Sequence, residues 1–182
     1  MPTILSHAIL ASALGSAFQS QHEKLPTRFW ILTVICSMLP DLDAVGFAFG
    51  VQYSSMFGHR GITHSLFFSI LLGVIVSILF FPASQISRWK AGLYFASVTL
   101  THPLLDMLTN GGLGVALLAP LTNERFFFPW RPIEVSPIGM GFFSERGLAV
   151  ITNEAFWIFM PSILIVLAFW FIRAKTARAG SP

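Results

Sequence analysis

From Ser65 to Ser87 the chain carries no charged side chain, and SLFFSILLGVIVSILFF opens the run between His64 and Arg88. A helix needs about 20 apolar residues to cross a hydrocarbon core, where every backbone N–H and C=O must be paired within the segment. This run is long enough, so lipid is the solvent that suits it. The rest of the chain agrees: 54% of its 182 residues are apolar, 19 are phenylalanine and only 10% are charged. Soluble domains carry about a quarter charged residues.

Ala155 to Ile172 is equally free of charge and is closed by Arg173, Lys175 and Arg178. Three other apolar segments hold polar interruptions: Pro2 to Gln21 contains His7, Phe29 to Gly50 contains Asp41 and Asp43, and Ala91 to Thr109 contains His102 and Asp106. The expected fold is all-α, a polytopic membrane bundle of about five transmembrane helices. Residues 1–182 then form a single integral membrane domain. Glycines and Pro120 mark Gly112 to Leu121 as a short or re-entrant piece. It belongs to an outer-side aromatic and proline-rich segment, 110–154, for which a folded-back interfacial loop or a lid is expected. Arg125, Arg131 and Arg146 in it are candidates for lipid phosphate.

The first segment is expected to be a helix and not a secretory signal, since no Lys or Arg precedes Lys24. Cys36 is the single cysteine and lies in an apolar run, which excludes a disulfide framework or thiolate metal site. Short basic loops tend to stay cytoplasmic. Lys24 and Arg28, then Arg88 and Lys90, then Arg173, Lys175 and Arg178 occupy every second junction. This puts the N-terminus, GHRGITHS and 110–154 outside and the C-terminus in the cytoplasm. The net charge of +3 implies no nucleic-acid partner, because there is no soluble basic domain to carry it.

That topology has a consequence for the polar interruptions. Asp41 lies twelve positions past Phe29, and His102 eleven past Ala91. At about 1.5 Å per residue both rise roughly 17 Å, beyond the midplane of a ~30 Å core. His7 starts its segment from the outer side, and His59 and His64 precede the third. His7, Asp41, Asp43, His59, His64, His102 and Asp106 therefore fall in one outward-facing layer. It holds all three aspartates and four of the five histidines.

A lone histidine at a helix end is usually interfacial, and His22, beside Glu23 and Lys24, is read that way. Ionisable groups at bilayer depth cost about 2.5–3.5 kcal/mol each on insertion scales, so they pair or line a cavity. A structural ion-pair network would need cations, and the second and fourth segments hold no Lys or Arg at that depth. A divalent metal satisfies imidazoles and carboxylates together.

Spacing agrees with metal binding. His102 and Asp106 are four apart in HPLLD, on one face of a helix that Pro103 kinks. Asp41 and Asp43 would diverge on a regular helix, but Pro40 implies a broken backbone on which both can face inward, or on which one orients a histidine instead. His59 and His64 flank Gly61, and Thr63 or Ser65 can cap the third helix.

The series SHAIL, LPDLD, GHRGITHS, HPLLDMLTNGG and LLAPLTNERFFFP resembles the YdjM-like family of bacterial inner-membrane proteins, described as metal-dependent hydrolases. The resemblance covers residues 5 to about 135 and implies a membrane metallohydrolase. In order alone, His, Asp, His and then His-x-x-x-Asp is similar to zinc phospholipase C and P1-type nucleases. That likeness implies one ion on Asp41, His64, His102 and Asp106, with Asp106 bridging to a second held by His7 and either His59 or Asp43. No histidine follows His102, so a third ion would need Glu134, Glu145 or Glu154.

Imidazole and carboxylate ligands suit Zn²⁺, with Mn²⁺ or Fe²⁺ as alternatives. A spare carboxylate, first of all Asp43, is the expected proton acceptor for an attacking water. Arg60 is expected either to hold a phosphate oxygen or to anchor at the headgroup level. A site at the outer headgroup level meets amphiphiles, so membrane lipids and a phosphoester of a lipid or lipid-linked substrate are the expected partners. The chain has no G-x-S-x-G, no cysteine near a histidine and no P-loop, which excludes those chemistries. The rival reading is a divalent-metal transporter or sensor, for which polar groups should continue into the inner half.

Overall fold

Prolines and capping side chains set the limits of the helices. The computed structural model describes residues 1–19, 24–82, 86–137 and 139–179, so His22 lies outside the described residues. Helix α1 spans Ile4–Phe18 and begins at Thr3, whose hydroxyl accepts from Ser6 N. Helix α2, Thr27–Met38, follows Pro26 and continues into a 3-10 segment, Leu39–Phe49. The change of pitch falls at Pro40, which has no N–H to donate into an α-helical ladder. Gly50, at φ 76°, ends the segment in the left-handed region that a side chain would resist. Helix α3, Leu66–Phe80, is capped by Ser65, whose Oγ accepts from Phe68 N at 3.0 Å. It stops two residues before Pro82, well short of Ser87, as the restricted backbone ahead of a proline requires. Helix α4 is Arg88–Met107 with Pro103 inside it. Helix α5, Glu145–Glu154, passes through a π-helical turn, Ala155–Phe159, into α6, Met160–Ala179.

The described residues are all-helical with no strand; Thr109–Ile133 and Val115–Phe126 form isolated bridges. Two helices are long and apolar enough to cross a membrane, Thr27–Phe49 with mean hydropathy 1.6 and Glu145–Ala177 with 2.3. The expectation of five spans is not met on length alone. Helices α1 and α3 have 15 residues each, which is about 22 Å of rise against a ~30 Å core. The last helix starts ten residues before the expected Ala155, because the outer segment becomes helical at Glu145.

Helices α3 and α4 make the closest contact in the bundle. A Cβ on Gly73 would lie 2.5 Å from Gly92 O and 2.6 Å from Ala96 N, so only glycine permits this approach. Phe29, Phe81, Tyr94, Phe95, Val98 and Ala11 fill one end of the bundle. At the other end, the start of α1, the 3-10 segment, the start of α3, the end of α4 and the end of α5 come together, as the contacts below show.

The expected re-entrant piece at 112–121 is irregular chain and not a helix. Residues 109–137 cover that end of the bundle through backbone bonds: Asn110 N to Ile133 O, Phe128 N to Met107 O, Ala116 N to Arg60 O and Leu66 N to Leu117 O, each 2.9–3.0 Å. Arg125, Arg131 and Arg146, the candidates for lipid phosphate, each have a partner within the chain. Arg125 donates to the carbonyls of Tyr53, Ser55 and His59, Arg131 lies over Phe127, and Arg146 pairs with Glu134.

Candidate metal centre

His102 and Asp106 stand one turn apart on α4, and Asp41 begins the tightened turn after Pro40. His64 closes a short 3-10 turn, Ile62–His64, just ahead of α3. One donor atom from each of these four residues falls within 4.8 Å of all the others. His102 Nε2 lies 3.2 Å from Asp41 Oδ1, His64 Nε2 lies 3.5 Å from both Asp41 Oδ1 and Asp106 Oδ2, and His7 Nε2 lies 3.8 Å from Asp106 Oδ1. The His7 and His102 rings stack with centroids 3.7 Å apart.

The atoms facing the centre have no hydrogen-bond partner: Nε2 of His7, His64 and His102, and both oxygens of Asp41 and of Asp106. All are buried. A buried polar atom left with no partner costs about 1–3 kcal/mol; Asp106 Oδ2 is offset by Arg60 Nε at 3.0 Å, and among the described residues no guanidinium reaches Asp41. The far nitrogens of two of the rings are, by contrast, occupied. His102 Nδ1 lies 2.7 Å from the Ser37 carbonyl oxygen, which fixes the proton there and leaves Nε2 as a lone pair. His64 Nδ1 lies 3.1 Å from Asp43 Oδ2. Both tautomers are the ones a metal ligand requires.

Asp43 belongs to a second group with His59 and His64. Its two oxygens take His59 Nδ1 at 2.7 Å, Thr63 Oγ1 at 2.6 Å, Arg60 N at 3.2 Å and His64 Nδ1. Its contacts are those of a carboxylate that orients histidines, and the ligand atoms of Asp43, His59 and His64 also lie within 4.8 Å of one another, close enough to share an ion. Thr63 serves Asp43, and capping of α3 falls to Ser65. His59 turns to Asp43 and not into the four-residue set.

Arg60 is fully buried, which excludes the headgroup-anchor alternative. Its φ of 63° turns the side chain inward. Nε lies 3.0 Å from Asp106 Oδ2, while Nη1 donates to Gly111 O and Nη2 to Thr109 Oγ1. Thr109 and the Ser37 carbonyl are participants that the motifs did not single out; TNGG directly after HPLLDML was the available signal for Thr109.

With His64 neutral, as a ligand must be, three buried carboxylates against one buried guanidinium leave two negative charges in excess, which one divalent cation cancels. The same imbalance acts on His64: burial alone would lower its pKa, but Asp41, Asp43 and Asp106 outweigh it and raise it to about 9. Access is graded across the centre. His7, His64, His102 and Asp106 are sealed, whereas the Asp41 side chain keeps 7% exposure. Around that edge, Leu42, Val45 and Phe49 point outward, 53–81% exposed.

The family described as YdjM inner membrane protein matches residues 1–179. The chain is 38% identical over 177 residues to the inner membrane protein YbcI of Escherichia coli (strain K12), an alignment covering 95% of this chain and 99% of that one. No solved structure matches it.

Proposed function

The chain belongs to the YdjM inner membrane protein family, which sets it in the bacterial inner membrane, and from that premise we propose that it is a membrane-embedded metal-dependent hydrolase of lipid or lipid-linked phosphoesters. The supporting observation is the convergence of buried, unpartnered donor atoms from His7, Asp41, His64, His102 and Asp106. We take all five helical rods to cross the bilayer, the short α1 and α3 by local thinning. The centre then lies towards the outer face, with the C-terminus in the cytoplasm.

Asp41, His64, His102 and Asp106 would hold one ion, zinc by ligand type. His7 and the second Asp106 oxygen would hold another, whose excess charge an anionic phosphoester would balance. A divalent ion supplies Lewis acidity that makes water a usable nucleophile near neutral pH. Asp43 and the Ser37 carbonyl fix the rings of His64 and His102. Arg60 compensates Asp106 and holds 109–111 against it. With the oxygens of Asp43 occupied, proton acceptance passes to Asp41, whose Oδ2 is unpartnered and whose side chain is the most accessible of the set. The apolar rim of Leu42, Val45 and Phe49 favours a substrate that arrives from the lipid.

Retention of an ion for sensing or transport is the second reading, favoured by the sealing of four of the five residues. Elemental analysis of the purified protein and of Asp106→Ala, paired with a lipid-phosphate release assay, separates the two. The hydrolase reading requires bound metal and turnover, with both lost in the variant. Bound metal with proteoliposome uptake and no turnover would replace it with transport.

A further inference from the structure

His7 differs from its neighbours in the centre. Ser37 fixes the ring of His102 and Asp43 that of His64, but both nitrogens of His7 are buried without a partner. Its ring lies flat on His102 with an interplanar angle of 12°. Such stacking resists tilting yet permits sliding, so the placement of α1 decides where Nε2 stands.

The first turn of α1 is gripped by Glu154. Thr3 donates to it through both N and Oγ1 at 2.5 Å, and Ser6 Oγ donates at 2.6 Å. Glu154 is fully buried, and among the described residues no Lys or Arg forms an ion pair with it. A carboxylate at a helix N-terminus receives the unpaired N–H groups and the favourable end of the helix dipole. Charged acceptors also make shorter and stronger bonds than neutral ones. Thr3 lies one turn before His7, and Ser6 is its immediate neighbour. Glu154 is the last residue of α5, directly before the π turn Ala155–Phe159. Such turns are frequent at functional sites.

We infer that Glu154 is the positioning residue that holds His7 to the centre: it touches no donor atom of the metal set and acts through the register of α1. This rests on the metal reading above. Zinc affinity by chelator competition on the full chain in detergent tests it, with wild type, His7→Ala, Glu154→Gln and the double variant. The glutamine keeps the shape but turns an NH₂ towards donors that need an acceptor. Glu154→Gln is expected to weaken binding of the ion that His7 holds about 10–100-fold, the effect typical of groups that orient a ligand, and His7→Ala, which removes the ligand itself, at least as much. The double variant should be no weaker than His7→Ala, since Glu154 has nothing to act on once His7 is gone. An equal further loss in the His7→Ala background would show a general structural role and overturn the inference. So would Glu154→Gln binding zinc like wild type. Should Glu154→Gln fail to fold, Ser6→Ala removes one donor and gives the same cycle at smaller amplitude.

A wild type that takes up no zinc would instead sink the metal reading. ¹⁵N-histidine spectra then decide the positioning claim. Glu154→Gln must shift the resonances that His7→Ala removes and leave those of His59 in place; unmoved His7 resonances would end it.

Discussion

Asp43 and His64 show how single side chains divide the work of the centre. Asp43 gathers four donors, so Asp43→Asn frees the rings of His59 and His64 without removing a donor from the four-residue set. Zinc affinity should fall about 10–100-fold and not vanish, whereas Asp41→Ala or His102→Ala should leave no measurable high-affinity ion. Titration by a chromogenic chelator distinguishes these outcomes. The raised pKa of His64, about 9, has a signed consequence. Without metal the ring carries a proton at neutral pH, and an incoming ion must displace it from the nitrogen that becomes a ligand. Apparent affinity should therefore rise with pH, by about tenfold per unit for one displaced proton, and level off above pH 9. A flat profile between pH 6 and 8 would show that no proton is displaced and that the carboxylates do not hold the ring protonated.

At the scale of helices, the sequence carried the convergence but not its cover. Running α2 and α4 in the same direction put Asp41 and His102 at one depth, and their residues now lie 3.2 Å apart. Charged groups inside apolar runs have few places to go, which is why this part was legible. The irregular 109–137 segment was not, because backbone bonds such as Ala116 N to Arg60 O follow no periodicity. Nor was the inward turn of Arg60, which depends on a left-handed φ rare for arginine. Glu154 could be noted as a carboxylate, but its pairing with Thr3 and Ser6 from the far end of the chain left no local mark. Helix boundaries shifted wherever Pro82 and Glu145 overrode the apolar pattern. The α3–α4 contact offers a test at this scale. Gly73→Leu has no room at 2.5 Å from Gly92 O, and it should separate the pair and destabilise the protein by about 1–3 kcal/mol or more, the usual range for overpacking. A denaturation midpoint equal to wild type would show that the helices are not this close.

Across the whole molecule, one end is packed with Phe29, Phe81, Tyr94 and Phe95 and the other with imidazoles and carboxylates. Among the described residues the apolar end holds no cluster of imidazoles and carboxylates: Thr33 bonds to Tyr94, Thr99 donates to Phe95 O, and Arg28 lies over the Phe81 ring. An enclosed site can persist in a chain with little soluble mass because the 109–137 cover and the helix ends supply the walls that a globular domain would otherwise provide.

The most direct measurement is an anomalous-scattering map of zinc-loaded protein recorded on both sides of the zinc absorption edge. An ion bounded by Asp41, His64, His102 and Asp106 is expected, with Asp43 in contact with His64 and not with the ion. Density for zinc elsewhere, or none among these four side chains in protein shown to contain the metal, would contradict it.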